Sequence, residues 1–315
     1  MSADNRGIVP APRLNIYSAV AANRWRTVAL VAVFMGIVSL IGYFGGEYFA
    51  PGGGIAVLPG ALALSGISAA GSYFAGDKLV LAQSQAKPLE PNESPQLENI
   101  VETLAIGLGI DPPKIYTIDD TAPNAFATGR DPKHASIAVT KGLLEKLDRT
   151  ELEGVIAHEM SHIVNRDIRV MLLVTVLVGT IALISDGLLR SMQFGIGGRR
   201  GSRERGGGGA GIIAIVAIVL AILTPIIATL IQLAVSRQRE YLADASGALL
   251  TRYPPGLASA LRKISADTEA LEVANKATAS LYIANPLKDR PTFMDGMFDT
   301  HPPIAERIKR LEAMG

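Results

Sequence analysis

The sequence contains no cysteine, which excludes structural disulfides and thiolate metal sites and suits a reducing compartment. It also has almost no net charge. Thirty basic residues against 29 acidic ones leave a formal +1, so overall balance suggests neither nucleic-acid binding nor an acidic tail. Charge of either sign is scarce, at 19% of residues against 49% hydrophobic. Ordinary soluble domains carry more, and here charge is absent from long continuous intervals. Membrane insertion is the first inference.

Four intervals carry no charged residue: 27–46, 48–76, 170–185 and 206–236. A spanning helix needs about 20 mostly apolar residues, which the first, second and fourth provide. The third reaches only about 24 Å at about 1.5 Å per residue, so it crosses only if Asp186 is drawn toward an interface or shielded in a bundle. The alternative for the third and fourth is a buried hydrophobic helix hairpin. The first interval exceeds a signal-peptide core and lacks a small-x-small cleavage site, which makes it an uncleaved anchor. Arg6, Arg13, Arg24 and Arg26 precede it, and Lys78 and Lys87 follow the second interval. By the positive-inside rule, the N-terminus and residues 77–169 face the cytoplasm.

The expected organisation is a cytoplasmic segment at 1–26, a two-span hairpin at 27–76, and a first catalytic part at 77–169. A hydrophobic hairpin follows at 170–236, with a Gly/Arg-rich loop over 190–210, and a second catalytic part occupies 237–315. Ser94-Pro95 starts a helix ending near Gly107 or Gly109. KIYTI (114–118) and ASIAVT (135–140) read as strands, and the NAFATGRDPKH segment between them has room for another. Asp148 and Glu151 have capping-box spacing and open a helix. Helices are further expected at about 237–250, 255–273 and 302–313, with a loop at 285–300. No internal repeat is visible.

The helix that opens at Asp148 contains HEMSH, with two of the chain's four histidines. Residues i and i+4 share a helix face, so His158 and His162 can meet one tetrahedral ion, and Glu159, about 100° around, stands beside it for proton transfer. A catalytic zinc takes three protein ligands, so one is missing. The longer pattern H-E-x-x-H-x-x-G-x-x-H is excluded, because Asn165 and Ile168 occupy the glycine and histidine positions. His301 and several carboxylates are candidates. Glu240 in SRQREYLADASGA (236–248) is the best placed: small residues around it permit close helix approach, and the two apolar intervals, folded as a hairpin, return it to the side of His162. Asp244, one turn on, is suited to orienting a ligand histidine.

The chain resembles the HtpX-like membrane zinc metallopeptidases, more distantly the CAAX prenyl endopeptidases. The resemblance runs through PNAFATG (123–129), SIAVTKGLL (136–144), ELEGVIAHEMSHIVNRD (151–167), SRQREYLADASGA (236–248) and THPPIAERI (300–308). It implies an α+β, mostly α-helical integral membrane protein with about four transmembrane or membrane-associated helices and a zincin-like catalytic domain. It further implies one Zn²⁺ per chain on His158, His162 and Glu240, with Glu159 as general base. His301 and Arg307 are implied as donors to the developing oxyanion. Asn124 and Ala125 are implied as backbone contacts for substrate. ASIAVT reads either as a core strand or as the edge strand that pairs with substrate through Ser136, Ile137 and Ala138.

The implied activity is endopeptidase cleavage of damaged or misfolded membrane proteins at the cytoplasmic face of the inner cell membrane, in a stress-response role. Expected partners are membrane-protein or unfolded polypeptide substrates, the bilayer, other membrane proteases and further copies of the chain, with no nucleic acid. A CAAX-type prenyl-protein endopeptidase and a non-enzymatic zinc-stabilised membrane scaffold are the alternatives. One feature opposes the hairpin: Arg190, Arg199, Arg200, Arg203 and Arg205 would sit on the far side of the membrane, against the positive-inside tendency.

Overall fold

The computed structural model describes residues 16–49, 52–177, 179–180, 237–274, 278–287 and 302–314. The fourth apolar interval, the 190–210 loop and most of the expected 285–300 loop lie outside the described residues.

Helices α1 (Ile16–Phe49) and α2 (Gly53–Gln83) form an antiparallel hairpin. The chain reverses at Gly52, whose φ is 81°, and a Cβ on Gly54 would lie 2.7 Å from the Tyr43 carbonyl oxygen. Only glycine permits that approach. Both helices have stretches long and apolar enough to cross a membrane, Trp25–Phe44 and Gly53–Gln83. Only 22% and 17% of their most apolar windows is buried within the protein, whereas the core helix of a soluble domain buries its apolar face. Val28, Leu40 and Phe44 of α1 and Ile55, Ile67 and Phe74 of α2 face outward instead.

Both helices outrun an apolar core of about 30 Å, and their surplus ends meet the same catalytic domain. Val80 and Leu81, at the end of α2, pack with Ile118, Phe126, Ala138 and Tyr282. A four-stranded sheet has the order β1-β2-β4-β3, from β1 (Lys87–Pro88), β2 (Lys114–Ile118), β3 (Ala125–Gly129) and β4 (Ala135–Thr140). β2 and β4 are parallel, while β3 pairs antiparallel to β4 with Ala127 opposite Ile137. Of the two readings of ASIAVT, the core strand holds and the edge strand is corrected: β4 lies between β2 and β3, and the edge on that side is the short strand within NAFATG.

The opposite face of the sheet packs on α3 (Pro95–Leu108), α5 (Arg149–Val164) and α8 (Pro254–Ala266), with the short α4 (Lys141–Lys146) following β4. Residues 267–270 are not helical, so α8 stops short of the expected 273. A helix over 167–177, α6, continues after α5; its Leu173 and Leu177 join Phe34, Ile37, Val38 and Ala61 of the hairpin. The third apolar interval, as far as it is described, thus packs against the first two. Helices α7 (Arg237–Thr251) and α9 (Ile304–Glu312) complete the described elements.

Candidate active site

The site begins with α5, a helix buried on almost every side from Glu151 to Ile163. Its start is fixed by the capping box: Asp148 accepts from the Thr150 and Glu151 backbone N–H groups, and the Glu151 carboxylate accepts from Asp148 N. That frame sets His158 and His162 one turn apart, with their Nε2 atoms separated by 3.2 Å.

Helix α7 crosses α5 closely because Gly247 has no side chain. A Cβ there would lie 3.0 Å from the backbone nitrogen of His158. The approach brings in Glu240, whose Oε1 is 3.4 Å from His162 Nε2 and whose Oε2 is 3.7 Å from His158 Nε2. All three ligand atoms lie within 4.8 Å of one another. Zn–N and Zn–O distances near 2.0–2.1 Å in a tetrahedral site put neighbouring ligand atoms about 3.3 Å apart, so the donor set fits zinc in kind and in spacing.

A carboxylate stands behind each histidine. His158 Nδ1 is 2.9 Å from Asp244 Oδ1, and His162 Nδ1 is 3.1 Å from Asp167 Oδ2. Such partners fix the ring orientation and leave Nε2 to the metal. Asp244 was expected from its spacing to Glu240. Asp167 was not, although it sits in VNRD directly after the motif helix. Asn165 ends α5 and Arg166 takes a left-handed φ of 59°, and that turn swings Asp167 back onto His162. Asp167 is itself held: Asn23 Nδ2 donates to its Oδ1 at 2.7 Å, and Arg239 Nη1 lies 3.7 Å away.

The electrostatics suit a cation. Burial, with the nearby Arg307 charge, pushes His158 down to about 4. Burial alone would lower His162, but the Glu240, Asp167 and Glu159 carboxylates outweigh it and raise it to about 9. A metal ion would supply the counter-charge that the His162 proton otherwise provides. Glu159 is raised to about 8, chiefly by burial with a contribution from Glu240, while its neighbour His162 and a hydrogen bond from the Ala127 backbone N–H pull the other way.

Arg307, expected at the oxyanion, is fully buried with its guanidinium committed elsewhere. Nε and Nη2 donate to the two oxygens of Asp244 at 2.9 and 2.7 Å, and Nη1 donates to the Ile283 carbonyl at 2.9 Å. His301 lies outside the described residues. Asn124 is buried, with its Nδ2 donating to the Ala284 carbonyl at 3.1 Å, and the Ala125 carbonyl accepts from Ile283 N at 2.9 Å. The Asn124 backbone is taken by Thr140 and the Ala125 carbonyl by Ile283, so both expected substrate contacts are occupied. Ser136, Ile137 and Ala138 are buried in an interior strand paired on both sides, so they cannot serve as the expected edge. The structure thus gathers His158, Glu159, His162, Glu240, Asp244 and Arg307, adds Asp167, and moves the edge to β3.

Comparison with known proteins gives a consistent picture. The profile of Peptidase family M48 matches residues 91–315. A Protease HtpX homolog from Dictyoglomus thermophilum is 46% identical over 302 residues, covering 95% of this chain and 95% of that protein. A Protease HtpX homolog from Thermoanaerobacter pseudethanolicus is 46% identical over 303 residues, covering 96% and 99%. The crystal structure of Ste24p from S. mikatae aligns with a TM-score of 0.48 at 20% identity, over 94% of this chain and 67% of that one, a likeness too distant to carry an inference.

Proposed function

This chain belongs to peptidase family M48 and is a membrane metalloprotease, and from that premise we propose that it uses one zinc ion to cut damaged or misassembled membrane proteins at the cytoplasmic face. The observation that carries the proposal is the convergence of His158, His162 and Glu240 within 4.8 Å, with Glu159 beside them. Zinc held by those three supplies Lewis acidity, polarising the scissile carbonyl and acidifying water.

The rest is the work of the chain's own groups. Glu159, buried beside the two ligand histidines, takes a proton from the attacking water and returns it to the leaving amine. Asp244 and Asp167 hold the two imidazoles, and Arg307 positions Asp244. His301 remains the proposed donor to the developing oxyanion, by the family resemblance.

Substrate enters as an added strand on β3. Asn124 O accepts from Thr140 N, so residues 124, 126 and 128 turn their polar groups toward β4, and 125, 127 and 129 turn theirs outward. Ala125 O is taken by Ile283 and the Ala127 N–H reaches Glu159, and all five β3 residues are buried, so an added strand must displace what covers this edge. Recognition through main-chain bonds tolerates varied sequences, as a quality-control protease requires. Proximity to the bilayer supports the substrate class: Asn23, linked to His162 through Asp167, precedes the apolar window at Trp25 by two residues, about 3 Å along the helix.

The test is cleavage of an unstable membrane protein by the purified full chain in liposomes, alongside zinc content. Cleavage that survives complete zinc removal would sink the reading.

A further inference from the structure

Asn23 is a polar residue near the start of a membrane anchor, yet it is only 3% exposed. A buried amide must have its donors and acceptor met, and Asn23 does. Its Oδ1 accepts from Arg26 Nη1 at 3.1 Å, while Nδ2 donates to the Asn165 carbonyl at 3.1 Å and to Asp167 Oδ1 at 2.7 Å. These partners also fix the amide's orientation. A flipped amide would set oxygen against the Asp167 carboxylate and NH₂ against the Arg26 guanidinium.

The contacts are specific to one place. Asn165 ends the motif helix, and Asp167 is the carboxylate whose other oxygen meets His162 Nδ1 at 3.1 Å. Asn23 therefore grips both sides of the left-handed turn at Arg166 that delivers Asp167 to its histidine. Asn23 and Asp167 are 144 positions apart, so the bond ties the anchor helix to the motif turn.

Resting on the zinc site proposed above, we infer that Asn23 is a positioning residue of the metal centre, through which anchor helix α1 completes the support of His162. Asp167 without Asn23 keeps the longer Arg239 contact at 3.7 Å but loses its 2.7 Å hydrogen bond at the end of a left-handed turn. With it, Oδ1 is engaged and Oδ2 is aimed at Nδ1, which keeps Nε2 directed at the metal. The consequence is a link between anchoring and metal affinity. The first helix is part of the enzyme's active structure as well as its tether, and a chain whose α1 is not docked holds zinc poorly. For a protease that reads main chain rather than sequence, this confines full activity to the assembled membrane form.

The experiment uses the full-length chain in lipid nanodiscs. Zinc affinity is measured by competition with a chromophoric chelator, and the ligand field by the visible spectrum of the Co²⁺-substituted protein. Asn23→Leu should lower zinc affinity on the order of 10-fold, the low end of the range for partners of ligand histidines, and shift the cobalt bands. Asn23→Asp should lower it further, because a carboxylate then faces a carboxylate. Leu30→Ala, a buried α1 residue away from this bond, controls for loosened packing: it should lower Tm and leave the affinity of the folded fraction unchanged.

Unchanged zinc affinity in both Asn23 single variants would overturn the inference. So would an equal loss in Leu30→Ala. A wild-type chain that takes up no zinc would instead overturn the metal site on which the inference rests.

Discussion

Gly247 of α7 lies against the backbone of His158, so close that an added Cβ would stand 3.0 Å from the His158 nitrogen and 3.2 Å from the Ala157 carbonyl carbon. Backbone atoms inside a capped, buried helix cannot retreat, so the crossing distance is set by this glycine. The same crossing sets the distance from Glu240 to the two histidines.

Gly247→Val should therefore act on the metal site and on stability together. Overpacking costs roughly 1–3 kcal/mol, and pushing α7 outward lengthens the Glu240 contacts. The expected outcome is a lower Tm with zinc affinity reduced at least tenfold. Zinc titration of the folded variant checks this, and native affinity would mean that α7 has another way to approach.

Glu240 and Glu159 are both buried carboxylates beside the same histidines, but their variants should separate. Glu240→Ala removes a ligand and should leave purified protein with little zinc. Glu159→Gln should retain zinc and lose roughly 10²–10⁴-fold in turnover, the usual contribution of a general base. Metal analysis and cleavage of one membrane substrate distinguish them. Normal zinc in Glu240→Ala would return the third ligand to His301 or another carboxylate.

The parts of this site legible in sequence were those with local periodicity. The i, i+4 histidines, the Asp148–Glu151 box and the Glu240–Asp244 pair each lie on one helix, so spacing alone predicts which side chains share a face. Asp167 escaped because its role depends on one left-handed residue, Arg166, in a turn with no glycine to announce it. Strand order escaped for a different reason: ASIAVT and AFATG are both short and apolar, and which is the edge is decided by long-range pairing. Arg307 was correctly brought to the site by resemblance. Its Asp244 partner lies 63 residues away, so local spacing could not have shown that its guanidinium faces the carboxylate.

That bidentate contact gives Arg307 a separable test. Arg307→Lys keeps the charge but cannot engage both Asp244 oxygens and the Ile283 carbonyl in one plane. Acting through Asp244 and His158, the substitution should reduce zinc affinity about 10- to 100-fold, and Asp244→Asn should do the same. An arginine that touched only the substrate oxyanion would lower kcat and leave zinc affinity alone. The pair of measurements therefore discriminates the two roles.

The last prediction concerns Glu151, which ties the start of the motif helix to α8. Its carboxylate accepts from Asp148 N at 2.9 Å, Ser259 Oγ at 2.7 Å and Lys263 Nζ at 2.6 Å. Burial alone would raise its pKa, but the bonds from Lys263, Ser259 and Asp148 outweigh it and hold the carboxyl below its ordinary 4.5. A carboxylate depressed in the folded state stabilises fully above its unfolded pKa, and the contribution is lost as pH falls through the lower folded value. Lys263 is half-exposed, so solvent screens part of the attraction, and a capping contribution of about 1 kcal/mol is the right scale. Glu151→Gln should lower Tm by roughly 2–4 °C at neutral pH. Measured on zinc-stripped protein, to keep metal loss out of the comparison, the gap between wild type and variant should hold down to about pH 5 and close below pH 4.5. A gap that stayed constant or widened in acid would show that Glu151 stabilises the helix by packing rather than as a charged acceptor.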